Sequence, residues 1–255
     1  MTAQEFDYQF DVLYNNITSN QAPGLDAYEK SVFLTKAQDE IIKNYFLAES
    51  NPKKAGFDDN QKRQTDFSKI VVSTTIETDS PEFTEGTTSV YSQTTNSHNK
   101  QLPTAISISL PNDLLFLLNA WCEIDRYNTN TGEILIIKQI STDEYDRLRL
   151  KPFPYPRKKQ AWGILSNSNK MDIITGIHKT VYNVHIRYIK KPTPIILETL
   201  TGTLQIDGQQ TQSNGSLSET LHQEILQRAV ELAKIAWANP TDNTQLLVQA
   251  GIRSE

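Results

Sequence analysis

The chain has 255 residues, which is enough to bury a sizeable core in one large or two small domains. Cys122 is the only cysteine, which excludes an intramolecular disulfide. Because the sequence opens without a secretion leader, we expect synthesis and assembly in a reducing cytoplasm. The longest apolar runs fall well below the roughly 20 residues that cross a bilayer, so we expect no membrane association. The formal net charge of −5 argues against a dedicated nucleic-acid binder, which needs a basic excess.

Two amphipathic helices are predicted near the N-terminus. Thr2 and Glu5 have the spacing of a capping box, and the apolar residues after them recur at helical spacing. A second box, Asp26 with Glu29, opens a stronger helix. The predicted apolar face of this second helix contains Val32, Phe33, Ala37, Ile41, Tyr45 and Phe46.

After a third short helix predicted within residues 58–69, the period changes from helical to extended. Residues 71–78 and 105–110 are rich in β-branched or alternating apolar side chains and are predicted to be paired strands. The polar stretch between them, 79–104, is interpreted either as an exposed extension or as a flexible functional loop that orders against a neighbour. Residues 112–118 are predicted to form a short helix or turn.

Further strands and one short helix are predicted in the rest of the middle segment. Ser141 and Glu144 form another capping box, which opens a helix ending at about Leu148. Three prolines keep residues 151–159 extended and exclude a central strand there. The predicted strands span 120–127, 134–140, 160–165, 171–174 and 182–189.

The C-terminal part of the chain is again helical. Residues 199–215 are rich in Gly, Gln, Thr and Ser and are predicted to be a hairpin or loop. Ser216 or Ser218 caps the last long helix, which ends at Trp237. Its wide, Ala-containing apolar face suits close packing against the N-terminal helices. A short helix is predicted over 241–250.

These elements predict an α+β fold. Residues 1–70 and 216–255 are predicted to form a helical bundle core, and 71–215 a central antiparallel β-rich insertion, or wing. This insertion would carry flexible polar loops at 79–104 and 199–215. The hydrophobic fraction of 37% is low for a self-contained globule and fits a core diluted by such loops.

No motif for catalysis or cofactor binding is present in the sequence. It lacks GxxxxGK[ST], GxGxxG and GxSxG strings, and its four histidines share no metal-ligand spacing. We therefore predict no catalytic, cofactor or metal site and no enzyme activity. Asp143, Glu144 and Asp146 look like paired acids, but they lie in the first turn of a helix, where the dipole favours acids.

One basic segment is the main candidate for docking. Its aromatic rings could stack on nucleic-acid bases. Against the acidic background we favour a solvated proline-rich arm or a protein-docking segment. The candidate residues are Arg147, Arg149, Lys151, Phe153, Tyr155, Arg157, Lys158 and Lys159.

The last helix supplies two further interface candidates. His222 is expected at the helix surface or in an interface, and Trp237 is a large aromatic near the end of the helix. Trp121, Trp162 and Trp237 could all be hot spots of binding. We interpret the three as core residues, because a Trp in a strand or an amphipathic helix is more often buried.

A family resemblance rests on six stretches that follow one another along the chain. They cover most of the chain outside the polar loops. On these residues the chain resembles the head-to-tail connector (neck or adaptor ring) proteins of short-tailed bacteriophages, most closely the ring proteins of crAss-like phages. The stretches are EFDYQFDVLYNNI (5–17), APGLDAYEKSVFLTKAQDEIIKNYF (22–46), LPNDLLFLLNAWCEI (110–124), ISTDEYDRLRLKPF (140–153), YIKKPTPIIL (188–197) and LHQEILQRAVELAKIAW (221–237).

The resemblance implies a structural virion protein that forms a homo-oligomeric ring, usually of twelve copies, in the phage neck. The ring would lie below the portal protein, contact further neck or tail proteins, and surround genomic DNA that passes without sequence-specific binding. The resemblance also implies that a terminal segment docks onto the portal. Virion assembly would take place in the host bacterial cytoplasm.

Two other classes of function stay open. A receptor- or carbohydrate-binding tail protein could use the β-rich middle, although such proteins usually show longer β runs or trimeric repeats. A phage hydrolase or nuclease would assemble its site in space from convergent carboxylates or histidines. No such set is apparent in the sequence.

Overall fold

The computed structural model divides the chain into two compact units. It describes residues 1–15, 24–46, 61–77, 83–84, 105–126, 132–151, 156–167, 169–176 and 179–237. Residues 1–70 and 192–255 make up one unit, the helical unit, and residues 71–191 make up the other, the sheet unit. The predicted α+β class is confirmed. Residues 192–215, assigned to the β-rich segment from sequence, belong to the helical unit.

The helices of the described residues fall into both units. All but α4 lie in the helical unit, which also contains a small two-stranded sheet of β9 (Ile195–Ile196) and β10 (Ser213–Asn214). The helices are α1 (Ala3–Asn15), α2 (Ala27–Phe46), α3 (Gln61–Asp66), α4 (Thr142–Arg149) and α5 (His222–Trp237).

Both predicted N-terminal capping boxes are confirmed. The Thr2 hydroxyl accepts from the Glu5 N–H at 3.2 Å, and the Glu5 carboxylate accepts from the Thr2 N–H at 2.9 Å. Asp26 and Glu29 form the same reciprocal pair, at 2.7 and 3.1 Å. Each box satisfies two backbone donors that a helix start leaves without partners, which fixes where α1 and α2 begin.

The last helix packs against the first two, as its composition predicts. α5 contacts both α1 and α2. Ala229 and Ala233 are buried on its inner face, and Arg228 of α5 forms an ion pair with Glu40 of α2 at 2.7 Å. The side chains that meet in this core include Phe6, Phe10, Leu34, Ile42, Ile225, Leu226 and Ala229.

The buried face of α2 differs from the predicted one. Val32 and Phe33 are only half-buried, whereas the polar residues Ser31, Thr35 and Gln38 are buried. These three side chains bond to the backbone around β9: Ser31 accepts from Leu197 N–H, Thr35 bonds both backbone groups of Ile195, and Gln38 donates to the Thr193 carbonyl. Their spacing along the helix matches alternate residues of the extended segment, so α2 replaces a neighbouring strand.

Residues 199–215 form the hairpin that was one of the two predicted alternatives. The Leu200 N–H donates to the Gln210 carbonyl at 2.8 Å, and Ile206 and Gln209 exchange two backbone hydrogen bonds. The Gln210 side-chain amide donates to the carbonyls of Gly202 and Leu204. The segment is therefore held by bonds within the chain.

The sheet unit contains one eight-stranded sheet in the order β1-β8-β4-β5-β6-β7-β3-β2. Neighbouring strands in this sheet pair antiparallel, except β5 and β6, which are parallel and are connected through α4. The Glu144 N–H donates to Ser141 Oγ at 3.1 Å, which confirms the predicted cap of α4. The strands are β1 (Val71–Glu77), β2 (Phe83–Thr84), β3 (Ala105–Ser109), β4 (Leu114–Arg126), β5 (Glu133–Gln139), β6 (Gln160–Asn167), β7 (Lys170–Ile174) and β8 (Lys179–Lys190).

Two sequence predictions about this sheet are wrong. The segments 71–78 and 105–110 are strands, but β1 pairs with β8 and β3 pairs with β7, because long-range partners compete successfully with the nearest strand in sequence. Residues 112–118 are not helical from Leu114 onward, since β4 begins there and continues as one long strand. Its partner β8 is nearly as long, with 12 residues against 13, so pairing along its length outweighs the local helical pattern.

The sheet curls around a single core. Inward-facing residues from both ends of the strand order meet in one cluster, including Ile76 of β1, Ile108 of β3 and Val184 of β8. Polar groups at its margin are paired, as where the Tyr188 hydroxyl donates to Asp113 at 3.1 Å. Burial, together with this bond, raises the pKa of Tyr188 to about 12.

Some predictions fall outside the described residues. They are the helix over 241–250 and nearly all of the loop 79–104, of which only Phe83–Thr84 is described.

Ser218 lies at the cap position of the short 3₁₀ turn Glu219–Leu221 that leads into α5, but its side chain makes no capping bond there. The Ser216 hydroxyl instead accepts from the Thr193 N–H.

Candidate functional site

The outer face of the large sheet is covered over only part of its width. α4 packs on the outer side of β6, β7 and β3, where Tyr145 meets Trp162 edge-on at 6.3 Å between ring centroids. Ile164 and Ile174 belong to the same cluster. Among the described residues of the sheet unit, α4 is the one helix, and its cluster includes no residue of β5, β4, β8 or β1. We call this uncovered part the bare face.

A row of side chains crosses the bare face from strand to strand. The register places Thr75 beside His185, His185 beside Trp121, and Trp121 beside Ile136. The Trp121 and His185 rings stack with centroids 3.6 Å apart and planes 15° apart. Cross-strand pairs of this kind stabilise a sheet and fix the orientation of both rings.

Hydrogen bonds hold the polar members of this row in place. His185 Nδ1 lies 2.8 Å from the Thr75 hydroxyl, and its Nε2 lies 3.3 Å from Glu123 Oε1. The Asn183 amide donates to the other Glu123 oxygen at 2.9 Å. The Trp121 ring therefore rests on a histidine that bonds through both ring nitrogens, so the surface is rigid before any partner arrives.

Two isoleucines of β5 give the bare face an apolar centre. Ile134 and Ile136 are 57% and 65% exposed, whereas the alternate residues Leu135 and Ile137 are buried in the core. A β-bulge in β8 adds Tyr182, which is 45% exposed and lies with Asn183 between the buried Val181 and Val184. Exposed apolar groups that adjoin one another commonly mark an interaction site.

The predicted basic segment reaches the rim of the bare face at one end. Arg157, Lys158 and Lys159 are exposed in a turn closed by the Gln160 N–H, which donates to the Arg157 carbonyl at 3.1 Å. The Lys159 carbonyl in turn accepts from the Ile136 N–H at 3.1 Å, which ties the turn to β5. Lys138, two residues after Ile136 on the same strand face, adds a further ammonium group.

The other predicted docking residues are not brought to this rim by any described contact. Arg147 is exposed on α4, where its Nε donates to the Asp143 carbonyl, and Lys151 is exposed just after the helix. Phe153 and Tyr155 lie outside the described residues, as do the side chains of Arg149 and Trp237. Whether these residues serve in docking stays a prediction.

The expected surface position of His222 is wrong. Its side chain is only 5% exposed, packs against the Phe6 ring at 5.1 Å between centroids, and has Nδ1 2.6 Å from the Met1 amino nitrogen. The apolar face of α5 is wide enough to include the first residue of the helix. A role for His222 in contacts between copies stays a prediction.

Burial of His222 makes stability depend on pH. Burial and then the Met1 ammonium lower the pKa of His222 from 6.5, outweighing the opposite effects of the Leu217 backbone bond and Glu219, and Lys69 lowers it further. The unfolded chain then binds more protons than the folded one just below pH 6.5, so stability falls as pH falls through that value. We expect urea unfolding to report this loss. A His222→Gln variant should lose less stability over the same pH range. An equal dependence of the unfolding free energy on pH in both proteins would contradict the explanation.

The tryptophans divide between core and surface. Trp162 is 7% exposed beneath α4, as predicted. The core assignment of Trp121 is wrong, because its position in β4 places it on the half-exposed bare face. The sequence carries a signal for this face: Ile134 to Ile137 is an unbroken apolar run, and a strand of a half-solvated sheet would alternate instead.

The described residues contain no group of three or more His, Cys, Asp or Glu side chains placed to hold a metal ion. Within the same part of the chain, no helix has both the length and the apolar character needed to cross a membrane.

Comparison with known proteins decides the family. The sequence model of the phage tail ring protein 3/4 family matches residues 1–245 of this chain. The chain belongs to this family. It is 40% identical over 261 aligned positions, covering all of both chains, to ring protein 4/5 of Bacteroides phage crAss001. It is also 30% identical to ring protein 3 of the same phage over 250 positions, which cover 96% of this chain and all of the relative.

Membership of the phage tail ring protein 3/4 family confirms the predicted resemblance to crAss-like ring proteins. The match includes the segments that carry the bare face, α4 and all the described helices. Both relatives are ring proteins by name.

Proposed function

We propose that the chain is a non-enzymatic structural subunit that assembles with copies of itself into a closed ring of the virion. The observation that carries this proposal is the family match over residues 1–245, together with full-length similarity to a ring protein. The apolar bare face supports it, because a subunit made for assembly needs a surface to bury. An obligate ring contact would bury on the order of 2,000 Å² or more.

The proposed ring lies in the phage neck, links the portal protein to the tail, and has twelve copies. Genomic DNA would pass through its centre without sequence-specific binding. The net charge of −5 supports this, since an acidic wall repels phosphates and lets DNA slide. The subunit would assemble in the host cytoplasm, contact no membrane, and be retained in the virion.

Within each subunit we propose a helical bundle core and a β-rich insertion. The basic and aromatic residues from Arg147 to Lys159, with His222 and Trp237, remain the proposed docking residues for the portal and for further neck or tail proteins. A receptor- or carbohydrate-binding tail protein, or a phage hydrolase or nuclease, would be the alternative if no ring forms.

Light scattering coupled to size exclusion, followed by negative-stain imaging, tests the ring. The purified chain is measured alone and mixed with the portal protein of the same phage. We expect closed rings in solution or on the portal. A chain that stays monomeric and leaves the portal bare in both measurements would overturn the proposal.

A further inference from the structure

A closed ring requires two unlike surfaces on every copy. In a head-to-tail arrangement each copy presents one surface to the neighbour on one side and a different surface to the other neighbour. The two surfaces must complement each other in shape and charge. The bare face supplies a candidate for one of them, and the outward side of α1 supplies a candidate for the other.

The bare face has an apolar centre and a basic rim on its β5–β6 side, while the Glu123 carboxylate on β4 accepts from Asn183 and lies 3.3 Å from His185. Ile134 and Ile136 are exposed at its centre beside the Trp121–His185 stack. Lys138 is 59% exposed, and its 3.5 Å contact with Glu144 is too long and too solvated to neutralise it fully. Lys158 and Lys159 are exposed in the turn that bonds to β5.

The outward side of α1 is apolar with an acidic rim. Tyr8 and Val12, four residues apart and so on one side of the helix, are 73% and 42% exposed. Glu5 is exposed, and Asp7 and Asp11 are about half exposed.

One cation offsets part of this acidic rim. The Lys30 ammonium bonds to both aspartates at 2.8 Å. Burial lowers the pKa of Lys30, but the bonds to Asp11 and Asp7 outweigh burial and raise it, so the ammonium stays charged. One buried cation against three carboxylates leaves an excess of negative charge around Tyr8.

We infer that the ring contact joins the bare face of one copy to the α1 surface of the next copy. The inference rests on the proposed ring. Each side offers an apolar centre for burial, and the rims carry opposite charge, which favours the head-to-tail pairing over bare face against bare face. Tyr8 supplies the large aromatic that interfaces favour, and the rigid Trp121–His185 stack supplies its counterpart.

Two charge variants test the pairing. Tyr8→Lys places a cation opposite the basic rim, and Ile136→Glu places an anion opposite the acidic α1 surface. Each variant alone should lower the ring fraction about tenfold or more, because like charges face each other across the contact. Leu204→Glu, at a residue 46% exposed in the hairpin 199–215 and outside both surfaces, is the matched control and should assemble normally. Circular dichroism melts check that every variant is folded.

An equimolar mixture of Tyr8→Lys and Ile136→Glu gives the decisive result. Alternating copies place the new lysine of one variant against the new glutamate of the other, while every second contact is unchanged. A ring with an even number of copies should therefore return on mixing. A merely misfolded variant could not be rescued this way.

The outcomes separate this inference from the proposed function. If the unaltered chain forms no ring with or without the portal, both are overturned. If the unaltered chain forms rings and either variant alone does so equally well, only the surface assignment is overturned. Intact rings that no longer bind the portal would assign these surfaces to the portal and also overturn the inference.

Discussion

Gly215→Ala should destabilise the helical unit by about 3 kcal/mol. Gly215 has φ of +78°, a conformation that costs an L side chain about 1–2 kcal/mol. A Cβ there would lie 2.7 Å from Gln38 Oε1 and 2.8 Å from Ile195 Cγ1. Both side chains are fully buried, so neither can move away cheaply, and overpacking adds about 1–3 kcal/mol. Urea unfolding followed by far-ultraviolet circular dichroism measures the loss.

Gly208→Ala is the matched control for this prediction. Gly208 has the same φ of +78° but no atom within 4 Å of the added Cβ. We expect a loss of only about 1 kcal/mol, from backbone strain alone. Equal losses in the two variants would show that the close contact of Gly215 with α2 and β9 contributes nothing.

Thr35→Val should cost about 2–4 kcal/mol although the two side chains have the same shape. The Thr35 hydroxyl accepts from the Ile195 N–H at 3.2 Å and donates to the Ile195 carbonyl at 3.3 Å, both in buried surroundings. Valine leaves both backbone groups without this partner, and each buried unsatisfied group costs about 1–3 kcal/mol. Chemical unfolding at neutral pH reports the difference.

Thr35→Ser separates the hydroxyl from the methyl group. Serine keeps both hydrogen bonds and loses one buried methyl, so we expect a loss of about 1 kcal/mol. The predicted order of stability is therefore Thr, then Ser, then Val. A valine variant at least as stable as the serine variant would mean that α2 does not replace a neighbouring strand of β9.

The sequence predicts features whose causes are local. The capping boxes at Thr2 and Asp26 depend on residues three apart, and their bonds form where the spacing indicates. The helical faces of α1 and α5 are also local patterns, and apolar residues of these two faces, such as Phe6, Phe10 and Ile225, are buried. Most strands of the middle segment were predicted for the same reason, since β-branched alternation is visible within a few residues.

Features that depend on distant partners escaped prediction. The pairing of β1 with β8 joins residues more than a hundred positions apart in sequence. The residues of β1 alone do not indicate with which strand β1 pairs. The buried polar residues of α2 interrupt its apolar pattern, and their burial is explained only by their hydrogen bonds to the backbone around β9. Residues 114–118 contain an apolar run that fits a helix as well as a strand. Pairing with the long strand β8 makes this run a strand.

The candidate site was predicted only in part. The basic residues Lys158 and Lys159 were singled out from charge alone, which is visible in a sequence. Ile134, Ile136 and Trp121 were assigned to the core, or passed over, because which sheet face remains uncovered depends on where α4 packs. The α1 surface was missed because two exposed apolar residues on an amphipathic helix are ordinary when seen alone.

Quantitative mass spectrometry of purified particles tests the central claim, that this chain is a structural ring of the virion, most directly. Peptides of the chain are counted against peptides of the portal protein in particles of the phage that encodes both. Stacked rings that share one axis and one symmetry predict equal copy numbers. A chain that is abundant in the lysate and absent from the particles would contradict the account.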